Sequence, residues 1–363
     1  MAGTTDHSMP LWAMLAPVLA IGLLGLKLGG VISAQSPAML ILAVALLAAS
    51  VFAAVHHAEV LALKVGEPFG SILLAIAVTV IEVALIVSIL LSKAPGSEAV
   101  ARDTVYSAVM IVLNGVIGLC LVMGARRHRQ QTFQLDGASA TLAVLGTLAV
   151  FALIMPNFTD AVRGPEYAPI QLLVVGAVSL ALYIVFVFVQ TVRHRDYFVD
   201  DTDTDPGGTR PSDAVSAASA VLLLVSLTAV VVLAKVLSAP LSLAVQAAGL
   251  PVSFMGVVIA SVVLLPEGVA AMKAAVLNRL QSSINLALGS AVASIGLTIP
   301  TVALVSLVFD MPLVLGLSDE NMVLLMLTLF AAALTLGTGR TTVLQGAVHL
   351  VIFSVFLLLS AVP

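Results

Sequence analysis

Charge is scarce in this 363-residue chain: only 9% of its residues are Asp, Glu, Lys or Arg, against roughly 25% in an ordinary soluble domain. So little charge excludes a water-soluble enzyme and a disordered chain, and it leaves no basic surface for a nucleic acid. Cysteine is nearly absent. Cys120 stands alone in an apolar run, which excludes a disulfide framework and a cysteine-based zinc site. The order His-Glu-x-x-His is missing, since His56-His57-Ala58-Glu59 carries those residues in another sequence. A Gly-x-Ser-Gly nucleophile motif and a pair of deep aspartates are missing too, so nothing points to an intramembrane hydrolase or to any other enzyme. Strand-like alternation of polar and apolar residues is also lacking, which argues against a membrane β-barrel.

What the chain has instead is 61% hydrophobic residues, gathered in runs about twenty residues long, the length an α-helix needs to cross a bilayer. Runs bounded by charge or by Gly and Pro fall at 11–31, 37–56, 70–91, 105–123, 138–155, 170–190, 214–236, 252–272, 284–309, 321–337 and 342–361. The stretch 241–250 reads as an interfacial prelude to the eighth. The expected fold class is an all-α integral membrane protein of about eleven transmembrane helices, with the lipid bilayer as its first partner. Thr4 to Ser8 contains no lysine and leads into an ordinary first span, not a removable signal peptide.

Lys and Arg set the expected orientation. Loops after even-numbered spans hold Lys64, Arg126, Arg127, Arg129, Arg193, Arg195, Arg210, Lys273, Arg279 and Arg340. The other side holds Lys27, Lys93, Arg102, Arg163 and Lys235. The first set is twice the second, which places the amino terminus in the cytoplasm and the carboxyl end outside, in a cell inner membrane. Between Arg193 and Asp213 lies a polar stretch with Asp196, Asp200, Asp201, Asp203 and Asp205 around Pro206-Gly207-Gly208. It lacks the Gly and Glu of a calcium-binding EF-hand loop and reads as a solvated cytoplasmic linker. The expected organisation is residues 1–36 as a leading segment and first helix, 37–192 as a five-helix repeat, 193–213 as the linker and 214–363 as a second repeat.

Most acidic residues fall at span ends or in loops, Asp103 and Glu59 among them. Two do not: Glu82 near the middle of the third span and Glu267 well inside the eighth. A carboxylate at that depth is disfavoured by about 2.5–3.5 kcal/mol, so a pair of them argues for a function. Their surroundings repeat, with Gly70 upstream of Glu82 and Gly256 upstream of Glu267. They lie five spans apart, an odd number, so their helices run in opposite directions, as in the inverted repeats of transporters that bind substrate near the membrane midplane. Pro266 removes an N–H beside Glu267 and releases the Val262 carbonyl. Thr79 shares a helical face with Glu82, with Ser71 further upstream.

The following spans add Asn114, the one amide of its stretch, and Ser290 with Ser294 on a common face. These are candidate ligands, although Asn and Ser also serve as interhelical glue. The candidate cation- and proton-binding set is therefore Glu82, Glu267, Asn114, Ser290, Thr79 and Ser294, with Glu82 and Glu267 holding the metal ion. Every donor is oxygen, which suits hard cations such as Ca²⁺ or Na⁺. His349, deep in the last span, reads as a hydrogen-bonded packing or proton-relay residue in preference to a metal ligand.

The run Gly66-Glu67-Pro68-Phe69-Gly70-Ser71 through Glu82 resembles the first signature region of the calcium/cation antiporter superfamily, on its cation/proton exchanger branch. Leu265-Pro266-Glu267-Gly268 and Asn285-Leu286-Ala287-Leu288-Gly289-Ser290, ending at Pro300, resemble the second. The strings from Gln190 to Tyr197 and from Gly339 to Gly346 are similar to those of the bacterial sodium/calcium–proton antiporters in that branch. The resemblance implies a first helix followed by two inverted five-helix repeats joined by an acidic connection. It further implies that Glu82 and Glu267 carry the cation and the protons, with Asn114 and Ser290 at the polar positions of the following helices. Thr79 stands where the family's Gly-Asn-x-x-Glu pattern has Asn, and Leu264 or Leu265 replaces the polar residue before Glu267. Fewer side-chain ligands result. The expected activity is exchange of cytoplasmic Ca²⁺, and of Na⁺, for external protons, with monovalent Na⁺/H⁺ or K⁺/H⁺ exchange as the alternative. No cofactor is implied beyond the transported ions.

Overall fold

The computed structural model describes residues 9–28, 37–66, 69–92, 96–162, 164–198 and 211–363. Glu67, Pro68, Lys93, Arg163, the linker residues Asp200, Asp201, Asp203, Asp205 and Arg210, and the Lys27 and Ser71 side chains lie outside the described residues. The described chain is helical almost throughout. Its α-helices are α1 (Leu11–Leu28), α2 (Pro37–Val65), α3 (Phe69–Leu90), α4 (Val100–Met110), α5 (Ile117–His128), α6 (Leu135–Ala149), α7 (Pro169–Phe188), α8 (Asp213–Ala247), α9 (Phe254–Val276), α10 (Leu280–Phe309), α11 (Asp319–Leu336) and α12 (Val343–Ala361). A π turn, Ile111–Val116, joins α4 to α5 into one span. Ten helical stretches among the described residues are long and apolar enough to cross a membrane, and α1 is a shorter apolar helix. Each of the eleven expected stretches is helical, the first as the shorter α1. The second is longer than expected and runs on to Val65, while 241–247 continues α8 and is no separate prelude.

Two compact units emerge. The first comprises residues 1–94 and 202–244, the second residues 95–201 and 245–363.

In the first unit α2 packs against both α1 and α3. Gly70 makes the α2–α3 approach possible, since a Cβ there would lie 2.5 Å from the Ala62 carbonyl oxygen. Pro17 sits inside α1 and removes the N–H that the Ala13 carbonyl expects four residues on. His57 of α2 supplies the replacement: its Nε2 lies 3.1 Å from that carbonyl oxygen, and its Nδ1 lies 3.4 Å from Ser219 Oγ of α8. A carbonyl only accepts, so Nε2 carries the proton and Nδ1 receives the serine hydroxyl. At one end of the unit Lys64 pairs with Asp213 at 2.6 Å and donates to the Pro211 carbonyl.

In the second unit α9 and α10 form the centre, with α4 and α5 against α9 and with α6 and α7 against α10. Small residues set the closest crossings, as expected where lipid removes any hydrophobic drive between helices. A Cβ on Gly256 would lie 2.4 Å from the Asp103 carbonyl carbon, and one on Gly346 would lie 2.9 Å from the Gly118 oxygen. Large apolar side chains such as Leu344 and Val323 point outward instead, where a soluble protein would place polar groups. Asn278 and Asp310 take the left-handed conformation that ends α9 and α10.

One face of this unit is knitted from four connections. Strands β1 (Gln131–Thr132) and β2 (Arg340–Thr341) pair antiparallel. Gln131 donates to the Ala275 carbonyl and His128 Nε2 to the Val276 carbonyl, both at 2.9 Å. Gln281 reaches the Tyr197 carbonyl at 3.1 Å, and Asn285 donates to the Phe198 carbonyl. Arg126, Arg127, Arg129, Lys273, Arg279 and Arg340 therefore share a face, as the loop assignment expected. Residues of both signature-like strings, Tyr197 and Arg340–Thr341, lie on this face. On the opposite face a cavity of about 730 Å³ opens among Arg102, Asn157, Asp160, Gly164, Gly316 and Ser318. Nearby Tyr167 donates to the Phe151 carbonyl at 2.6 Å, and burial pushes its phenol up to about 12.

Candidate functional site

Glu267 occupies the middle of α9, which runs unbroken through Pro266. It is 8% exposed. The Ser290 hydroxyl of α10 donates to its Oε2. Ser294, one turn further on the same helix, is buried as well. The face that Ser290 and Ser294 share thus delivers one hydroxyl to the carboxylate. Gly268, next in the chain, keeps α9 close to the π turn: a Cβ there would lie 3.2 Å from Val116.

Asn114 lies within that π turn, which touches α9, α10, α11 and α12. A π turn widens the helix by one residue and often marks a functional position. No proline lies within it, so it carries no local signature. Asn114 is fully buried, and both ends of its amide are engaged. Nδ2 donates to Thr328 Oγ1 of α11 at 2.9 Å, and Oδ1 lies 3.0 Å from Nδ1 of His349 on α12. The far ring nitrogen of His349 meets Thr335 Oγ1 at 3.1 Å. His349 is therefore hydrogen-bonded at both nitrogens, the satisfied state expected for it. Thr328, Thr335 and Met110, which complete the cluster, went unnoticed in the sequence. The available signals were the two hydroxyls seven residues apart in the apolar part of α11 and the glycines Gly118 and Gly346 that bring α5 and α12 together.

Glu82 belongs to the first unit. It is 4% exposed on α3, and Thr79 on the same face is buried with it. Among the acids assigned to span ends, Asp103 does lie in the first turn of its helix, yet a neighbouring helix covers it. It lies in α4, largely buried against α9, and Arg102 closes on it with Nη2 to Oδ1 at 2.7 Å. Arg102 also donates to the Gly316 carbonyl at 3.3 Å. Hydropathy alone could not reveal this, since the burial comes from a neighbouring helix.

The described residues contain no group of three or more His, Cys, Asp or Glu side chains able to hold a metal ion. Oxygen from isolated carboxylates, hydroxyls and backbone is what the site elements offer, a donor set for hard cations. The model of the sodium/calcium exchanger protein family matches residues 35–192 and 218–362. This chain belongs to that family. It is 58% identical over 356 residues to the putative ionic transporter y4hA of Sinorhizobium fredii, covering 98% of this chain and 97% of the relative. It is 36% identical to the sodium-potassium/proton antiporter ChaA of Escherichia coli, covering 85% of each. Among solved structures, native YfkE superposes with a TM-score of 0.75 at 14% identity, covering 97% of this chain and 99% of that one. The H⁺/Ca²⁺ exchanger CAX gives 0.69 at 16%, covering 95% and 89%. The protein is thus a multi-pass membrane exchanger of cations, built on the fold of those structures.

Proposed function

We propose that this exchanger-family protein exports cytoplasmic Ca²⁺ in return for external protons, with Glu82 and Glu267 carrying both. The observation that bears most weight is Glu267. Its carboxylate is buried inside a membrane span and is met by a hydroxyl from a neighbouring helix. A proton and a metal ion compete for such oxygens, because protonation removes the charge that attracts the cation. Occupancy by one then excludes the other, and this exclusion couples the two fluxes. Alternation of access to the two sides completes the cycle. Thr79, Ser290, Ser294 and Asn114 are the supporting polar groups. The basic face of the second unit supports a cytoplasmic amino terminus and a carboxyl end outside, in a cell inner membrane.

A second reading, exchange of Na⁺ or K⁺ for protons without Ca²⁺, has two supports. The relative ChaA is named a sodium-potassium/proton antiporter, and Thr79, with Leu264 and Leu265, leaves few side-chain oxygens for a divalent ion. Everted membrane vesicles with an acid interior separate the readings. Added Ca²⁺ should collapse the pH difference in wild-type vesicles, and Glu82→Gln or Glu267→Gln protein should leave it intact. Collapse by Na⁺ or K⁺ alone favours the second reading. Normal exchange by both glutamine variants rejects the site assignment.

A further inference from the structure

The hydrogen bonds around Asn114 can be written in two directions, and only the chemistry of the last acceptor chooses between them. In one, the Thr335 hydroxyl donates to His349 Nε2, Nδ1–H donates to Asn114 Oδ1, and Asn114 Nδ2 donates to Thr328 Oγ1. In the other, the amide is turned over, the imidazole proton moves to Nε2 and every arrow reverses. Both satisfy the ring and the amide. Met110 breaks the tie. Its thioether sulfur accepts and cannot donate, and it lies 3.4 Å from Thr328 Oγ1 and 3.8 Å from Asn114 Nδ2. In the first direction Thr328 accepts from the amide and passes its own proton to sulfur. In the second, the Thr328 hydroxyl is spent on Asn114 and the sulfur receives nothing. The first direction therefore holds, with His349 neutral and protonated at Nδ1.

We propose that His349 is a positioning residue for cation binding that acts through Asn114. By donating to Oδ1 it holds the amide in one orientation on the π turn, beside the α9 segment that carries Glu267 and Gly268. An amide oxygen has two lone pairs. One receives the imidazole N–H, and the other is held in a fixed direction for the transported ion. No change of charge on the ring is involved. The burial of all four partners, none above 4% exposed, keeps water from substituting for any link. The proposal rests on Asn114 facing the transported cation.

Asparagine and glutamine separate positioning from packing. An Asn side chain at 349 places its N–H₂ near the Nδ1 position, and a Gln places it near Nε2. His349→Leu and His349→Gln should raise the cation concentration for half-maximal exchange about five- to tenfold, the effect of losing roughly one hydrogen bond. Maximal rate should change less than twofold. His349→Asn should restore the half-saturating value to within about twofold of wild type. Equal impairment of the Asn and Gln variants, or wild-type values in all three, overturns the proposal. Met110→Leu keeps the volume and is readily tolerated in a core, so it serves if the histidine variants do not fold. It removes the acceptor that sets the direction and should raise half-saturation about two- to threefold, and an unchanged value also overturns the proposal. Glu267→Gln is run alongside: its inactivity together with wild-type behaviour at 349 and 110 rejects the positioning role and leaves the glutamate assignment standing. If wild-type vesicles exchange no cation for protons, that assignment fails on its own. Half-saturation is then read from stabilisation of the purified protein against heat by Ca²⁺, Na⁺ or K⁺.

Discussion

Replacing His57 by leucine tests whether the break at Pro17 is repaired from outside its own helix. Pro17 leaves the Ala13 carbonyl without its intrahelical donor, and His57 Nε2, 3.1 Å away, is the substitute. His57 is fully buried, so water cannot step in when the imidazole goes. An orphaned buried carbonyl destabilises by about 1–3 kcal/mol. Pro17→Ala in the His57→Leu protein should recover much of that loss, because residue 17 then donates to Ala13 within α1. In the protein that keeps His57, the same Pro17→Ala change finds the carbonyl already engaged and gains less. The double-mutant cycle should therefore show a coupling of about 1 kcal/mol or more. Thermal unfolding of the detergent-solubilised protein provides the assay. Fluorescence can follow it locally, since the chain has a single tryptophan, and the Trp12 ring lies 5.7 Å from that of His56, beside His57. Additive effects, within about 0.3–0.5 kcal/mol, would refute the repair and leave His57 as ordinary packing.

Two further outcomes follow from single contacts. Ser290→Ala removes the hydroxyl that donates to Glu267 Oε2 and should raise the half-saturating cation concentration about five- to tenfold, whereas Ser290→Thr should retain wild-type exchange; vesicle titrations compare them. Gly256→Leu drives a side chain into the Asp103 backbone and should abolish recovery of monodisperse protein, while Gly289→Ala, with nothing within 4 Å of the added carbon, should be recovered normally with stability unchanged or raised by about 0.5–1 kcal/mol.

Legibility varied with the range of the interaction. Each span could be read from its own residues, because transfer of a helix into lipid depends on the composition of some twenty consecutive positions. Boundaries slipped where a helix emerges from the apolar zone and continues, as α2 does through Glu59 and Lys64 to Val65. Glu82 and Glu267 stood out for the same local reason. The Ser290–Ser294 face was visible from helical period alone, and it reached Glu267 because α9 and α10 are neighbours in both chain and space. Asp103 was legible as a span-end acid but its burial was not, since that is created by α9 approaching at Gly256.

Composition and hydropathy alone determined that this is a helical membrane protein of about eleven apolar helices and which of them bear the deep carboxylates. Folding alone decided what each polar side chain faces. Asn114 and His349 are 235 positions apart, and the Pro17 carbonyl defect is met by a histidine on another helix. Insertion energy is a sum over one segment. A buried hydrogen bond needs two partners brought within about 3 Å at a suitable angle, and that geometry is set only when the helices have packed.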